Sequence, residues 1–158
     1  MIVVTHHPFI PPLHERPHGI IRGATRALRT LEAVGVEVLL AGHLHMGYSG
    51  DVRTHQEVTK RSILSIQAGT ACSNRRRDEP NAYNRLTIEG AAIDGIERDR
   101  LVVQVRKRDQ GEFEDGARVV FEKFAEGWSR VEAQKEDPAN EAEVEIERAV
   151  EGAEAQTG

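Results

Sequence analysis

Two hydrophobic periods alternate along the first 131 residues. Met1–Thr5 (MIVVT) is a β-branched run that ends in His6-His7-Pro8, and Val36–Ala41 (VEVLLA) is a second apolar run that ends in Gly42-His43-Leu44-His45. Both have the length of a buried strand. Pro8 has no N–H for a ladder, so the first strand stops there. Between the two runs, Ile21, Ala24, Leu28, Leu31 and Val34 recur at helical spacing with Arg22, Arg26, Arg29 and Glu32 interleaved. Gly35 is placed to end that helix. Phe9–Gly19, carrying Pro11, Pro12 and Pro17, reads as a long loop.

The pattern then turns to strands. Arg61–Ala68, Ala82–Ile88, Leu101–Arg106 and Val119–Phe124 carry alternating or continuous apolar positions separated by glycines, as at Gly111 and Gly116. They are expected to form an antiparallel outer sheet and a terminal hairpin. Phe121, Phe124 and Trp128 are assigned to core or hairpin packing rather than to a ligand platform.

Strand, helix and strand of these lengths make a βαβ unit with parallel strands and a right-handed crossover. Ligands of open α/β sheets bind just beyond the carboxyl ends of the strands. His6, His7, His43 and His45 all fall on that rim. His43 and His45 are two residues apart, so in extended backbone their side chains share one side. Gly42 permits a sharp turn and a close approach to a ligand. Imidazole is a common ligand of zinc, iron and manganese, so the grouping predicts a metal site in preference to four solvated histidines.

Composition narrows the setting. Apolar residues make up 39% of 158 positions, ordinary for a globular chain. No apolar run approaches the roughly 18 residues of a membrane span, and no secretory signal is recognisable, so a cytoplasmic protein is expected, with no membrane partner. Cys72, the single cysteine, is read as a small buried hydrophobe. The net charge of −5 argues against nucleic acid as a partner. Glu132–Gly158 holds nine acids against two bases, so residues 1–131 carry a small positive balance. This tail has no Leu, Phe, Trp or Tyr and is expected to be disordered. The domain reading is therefore 1–131 folded and 132–158 an acidic tail. His14, His18 and His55 are assigned to the surface, and Arg75-Arg76-Arg77 to a solvated face.

Thr-His-His-Pro-Phe at 5–9 and Ala-Gly-His-Leu-His at 41–45 resemble the last two motifs of the calcineurin-like metallophosphoesterases. Gln67-Ala-Gly-Thr-Ala-Cys-Ser73 and Asn81-Ala-Tyr-Asn84 resemble the segments after Gly-His-x-His in bacterial members, the subgroup like cyclic-nucleotide phosphodiesterases being the most similar. The resemblance covers about residues 1–125 and implies the C-terminal part of a four-layer α/β/β/α sandwich, a βαβ unit followed by mainly antiparallel strands. It implies metal ligation by His6, His43 and His45. His7 matches a position not normally a ligand, where it lines the substrate pocket, orients His6 or is a surface neighbour.

The same family uses Asp-x-His, Gly-Asp-x-x-Asp and Gly-Asn-His-Asp/Glu motifs that are absent from this sequence; Gly50-Asp51 continues as Val-Arg-Thr and comes after the Gly-His-x-His rather than before it. The chain is therefore expected to be the C-terminal half of such an enzyme. Carboxylates hold two dications close together in a two-metal site; with three imidazoles, about one Mn, Fe or Zn ion is expected where the complete family site has two. The implied function is metal-dependent hydrolysis of a phosphomonoester or phosphodiester, a cyclic nucleotide among the candidate substrates, with little activity in this chain by itself. A catalytically inactive remnant or binding module is the alternative, and an unrelated single-metal protein a third. A partial sandwich exposes a sheet edge, so self-association through it is expected.

Overall fold

A computed structural model describes residues 1–12, 19–55, 58–74, 79–93 and 96–131. The acidic tail, His14, His18 and Arg75–Arg77 lie outside the described residues.

Among the described residues, eight strands and one α-helix are arranged in the order β1 (Ile2–Val4), α1 (Ala24–Ala33), β2 (Val38–Ala41), β3 (Tyr48–Asp51), β4 (Leu64–Gln67), β5 (Asn81–Ile93), β6 (Ile96–Arg108), β7 (Glu114–Phe124) and β8 (Gly127–Val131). A 3₁₀ turn covers Val52–Thr54. The strands form a mixed sheet of order β1-β2-β4-β3 and an antiparallel sheet of order β5-β6-β7-β8. The expected βαβ unit is present: β1 and β2 are parallel neighbours, with Ile2 opposite Val38 and Val4 opposite Leu40.

Helix α1 is shorter than its periodicity suggested. It starts after Gly23, which sits in the left-handed region, and Val34 has left the helix before Gly35 at φ 78°. Ala24 and Leu28 are buried, with Ala27 and Leu31 beside them, whereas Ile21 and Val34 are exposed because they lie outside the amphipathic turns.

Arg61–Ala68 departs from expectation in a different way. Its strand, β4, joins the first sheet, parallel to β2, instead of the antiparallel one. All four of its residues are buried, the character of a central strand covered on both faces rather than of a half-exposed antiparallel strand. Strand β3 is an addition: Tyr-Ser-Gly-Asp carries no hydrophobic alternation and is held by antiparallel pairing with β4.

Two apolar layers flank the mixed sheet. On one face, Leu39 and Ile63 pack with Ala24 and Leu28 of α1, Phe9, Ile10, Val36 and Val52. On the other, Val38, Leu64 and Ile66 meet Leu101, Val103, Val119, Phe121 and Trp128 of the antiparallel sheet. The switch of face between Val38 and Leu39 is the period-two alternation of a strand. Among the described residues the architecture is thus mixed α/β: a helix, a mixed sheet and an antiparallel sheet. Phe121 and Trp128 are buried in this core, as expected, and Phe124 is half-buried. Cys72 is exposed, contrary to the expectation of burial, because it lies in the irregular segment after β4 and not in a strand. No described helix is long and apolar enough to cross a membrane.

Candidate metal centre

The rim of the mixed sheet is built by two parallel strands that run out together. Pairing continues past their ends: Thr5 N–H donates to Leu40 O at 2.9 Å and Gly42 N–H to His6 O at 3.2 Å. These bonds set His6 beside the turn that carries His43. The chain after β1 is then fixed from both sides. Thr5 Oγ1 donates to His7 O at 2.9 Å. Pro8, Phe9 and Ile10 are buried, Gln67 Nε2 donates to Ile10 O at 2.8 Å, and Ile21 N–H donates to Pro8 O at 3.0 Å. The two histidines therefore stand on a turn anchored in the core.

His6, His7 and His43 converge. One ring nitrogen from each lies within 4.8 Å of the others, and the group faces solvent. His43 Nδ1 is 3.1 Å from His6 Nε2. The ring centroids are 3.9 Å apart for His7 and His43 and 4.9 Å for the other two pairs, all inclined to one another. His7 Nδ1 is 3.3 Å from Gly19 O; a carbonyl accepts, so Nδ1 carries a proton, and in the neutral ring the lone pair is then on Nε2.

His45 is placed differently. His43 and His45 have φ of 70° and 60°, so neither is extended. The same-side argument from extended backbone does not apply to this turn. Leu44, between them, is buried, and its N–H donates to Gly42 O at 2.9 Å. His43 turns toward the end of β1. His45 turns toward the segment after β4, where its Nδ1 is 2.7 Å from Oγ1 of the buried Thr70. The left-handed region is unfavourable for residues with a Cβ by roughly 1–2 kcal/mol. Two such residues in three positions are the kind of local strain that collects at functional sites.

The donor set is three imidazoles, chemistry that suits zinc, iron or manganese ions. Two of the three residues that the sequence resemblance assigns to metal, His6 and His43, are brought together, and His7 joins them; His45 stands outside the group. Gly19 and Thr70 escaped the sequence reading. Thr70 lies in the Gln67–Ser73 segment already singled out there, but nothing in its residue type marks it as a histidine partner.

The other singled-out residues have structural roles. Asp51 accepts from Arg53 N–H at 2.8 Å, from the Arg53 guanidinium at 2.7 and 2.9 Å, and from Ser62 Oγ at 2.7 Å. It caps the 3₁₀ turn. His55 is half-buried rather than exposed, because its ring packs edge-on against Tyr48 at 5.4 Å. Burial holds its pKa below the usual 6.5. Burial also raises the Tyr48 phenol above 10, the Thr54 hydrogen bond opposing and the charge of Asp51 adding.

Compared with protein families, curated proteins and solved structures, the chain matches none.

Proposed function

We propose that this chain carries the imidazole part of a metal-dependent phosphoesterase centre, hydrolysing a phosphomonoester or phosphodiester, within the C-terminal portion of an α/β/β/α sandwich. The observation that carries the reading is the meeting of His6, His7 and His43 at the carboxyl ends of two parallel strands. The motifs Thr-His-His-Pro and Gly-His-x-His supply its chemical class. The layered packing supports the fold: a helix and two stacked sheets account for three of its layers. Val102 and Val120, opposite each other on the far face of the antiparallel sheet, are also buried.

A bound ion would supply Lewis acidity and a water of lowered pKa. His6 and His43 would hold it, with His45 on the same turn available through the nitrogen that does not face Thr70. His7, its proton committed to Gly19 O, presents a fixed nitrogen to whatever occupies the rim. Among the described residues the group contains imidazoles and no carboxylate, so a second dication has no negative charge to hold it. Low activity is the consequence.

The make-up of the histidine group, three imidazoles without a carboxylate among the described residues, favours a second reading, a metal-binding module without chemistry. Hydrolysis of bis(p-nitrophenyl) phosphate by the manganese-loaded chain separates the two. Slow, metal-dependent turnover that His43→Ala abolishes supports the first; metal binding with no turnover supports the second. Equal turnover in wild type and His43→Ala contradicts the first.

A further inference from the structure

We propose that the acidic tail docks on its own chain: residues 141–151 form a helix whose apolar side covers Val102, Val120 and Val131 on the outer face of the antiparallel sheet. The proposal does not depend on the metal centre.

The sheet face is the first argument. Leu101, Val103, Val119 and Phe121 pack in the core between the sheets, so the alternate residues Val102 and Val120 lie on the outer face. Val102 is paired with Val120, and Val120 in turn with Val131, which makes an apolar row across three strands. Val102 is 6% exposed and Val120 0%, yet neither belongs to the two apolar clusters of the described residues. Arg85, Thr87 and Arg118, their neighbours on the same face, are exposed. A docked tail accounts for valines closed from water amid exposed neighbours.

The path of the chain is the second argument. Strand β8 ends at Val131, on that same row, and residues 132–158 continue from it. The sheet order β5-β6-β7-β8 makes the crossing three inter-strand spacings, about 14 Å. A helix over 141–151 is about 16 Å long. Residues 132–139, Pro138 among them, let the chain turn over the edge.

The tail itself matches the face. Asn140 is a favoured N-cap, and Gly152 is placed to end the helix. At helical spacing Ala142, Ile146, Ala149 and Val150 share one side, bordered by Glu143 and Glu145. Alone, this segment has too little apolar surface to hold a helix; the valine row supplies the missing partner. Charge complements it. The tail has nine acids and two bases. Arg85 and Arg118 lie on the row next to the valines, either side of Gln104, and among the described residues neither has an ion-pair partner. On the opposite row Arg100 is engaged by Glu89 at 3.8 Å, with Glu122 beside it, so the acidic border of the helix belongs on the side of Arg85 and Arg118.

Nuclear magnetic resonance on the full chain, labelled at backbone and methyl positions, tests the docking. The expected result is helical Cα shifts over 141–151 and nuclear Overhauser contacts from the Ile146 methyls to those of Val102 or Val120. Ile146→Asp should return the segment to random-coil shifts while the strand amides of the mixed sheet keep theirs, which shows that the fold is intact. Arg85→Glu combined with Arg118→Glu should lower the helical population at least twofold. Random-coil shifts over 141–151 in the wild type overturn the proposal, as does a helix with no contact to the valines. Wild-type helicity in Ile146→Asp, or in the double arginine variant, also contradicts it. Contacts seen only between differently labelled copies in a mixed sample overturn docking within one chain.

Discussion

His43 Nδ1 lies 3.1 Å from His6 Nε2 although the two residues are 37 positions apart. The contact exists because β1 and β2 are parallel and end level with each other, Val4 opposite Leu40. An ion held there binds the folded chain and has no equivalent site in the unfolded one, so binding and folding are linked. Zinc at about 100 times its dissociation constant should add about 2.7 kcal/mol to stability. Thermal unfolding with zinc and then with excess chelator checks this: the midpoint rises and returns. In His43→Ala the rise should vanish, and a rise of wild-type size there contradicts the linkage.

His55 predicts a pH effect separate from the rim. Burial lowers its pKa in the fold below 6.5. Between that lowered value and about 6.5 the unfolded chain binds a proton that the folded chain does not. Stability therefore falls as pH drops through this window and levels off beneath it. His55→Leu removes the titrating ring, and with it a buried Nε2 that has no hydrogen-bond partner. Urea unfolding at a series of pH values should show a flatter curve for the variant in that window; parallel curves would count against the burial argument.

Lys123 joins the two sheets electrostatically. Its ammonium pairs with Glu37, next to β2, and lies 3.5 Å from Asp99 Oδ2 on β6. Burial opposes ionisation of Glu37, but the hydrogen bond and charge of Lys123, with the amino terminus of Met1, outweigh it and set the pKa below 4.5. The hydrogen bond to Glu37 leads in raising Lys123 above 10.5, against partial burial. The Glu37 contribution is present above pH 4.5 and is lost as pH falls through its lowered folded value. Both side chains are about one-third exposed, so Lys123→Met should cost less than about 1 kcal/mol at neutral pH. At pH 3 the difference from wild type should shrink. A constant difference at both pH values would mean that lost packing, not charge, is responsible.

The outer edge of the mixed sheet is β1, with Ile2 45% and Val4 74% exposed. An unblocked apolar edge invites pairing with another chain. Size-exclusion chromatography with light scattering should show concentration-dependent association of the wild type. Val4→Lys, which sets a charge on that edge, should shift it toward monomer. A wild type that stays monomeric at every concentration refutes the expectation.

The parts of this molecule legible in its sequence are those where one local rule meets no competitor. The apolar runs before His6 and before Gly42 name both strands of the βαβ unit, and the histidines that end them name the rim. Ile63, Leu64 and Ile66 announce a buried strand without saying which sheet takes it, because a strand covered on both faces has no alternation to read. Strand β3 has no pattern at all; the free edge of β4 templates it. The site was half legible. Residue type cannot reveal that His43 and His45 adopt left-handed backbone, since no glycine marks either position. That one conformational fact divides the pair, sending one ring to β1 and the other to Thr70. Gly19 is equally silent in sequence: its carbonyl and its missing Cβ matter only once the chain returns to the rim.

Anomalous diffraction at the zinc edge, from crystals of the full chain grown with one equivalent of zinc, tests the central claim most directly. The account predicts one strong peak at the ends of β1 and β2, bonded at about 2.0–2.1 Å to nitrogens of His6 and His43. No peak at the ends of β1 and β2, or a peak bonded to neither His6 nor His43, would contradict it.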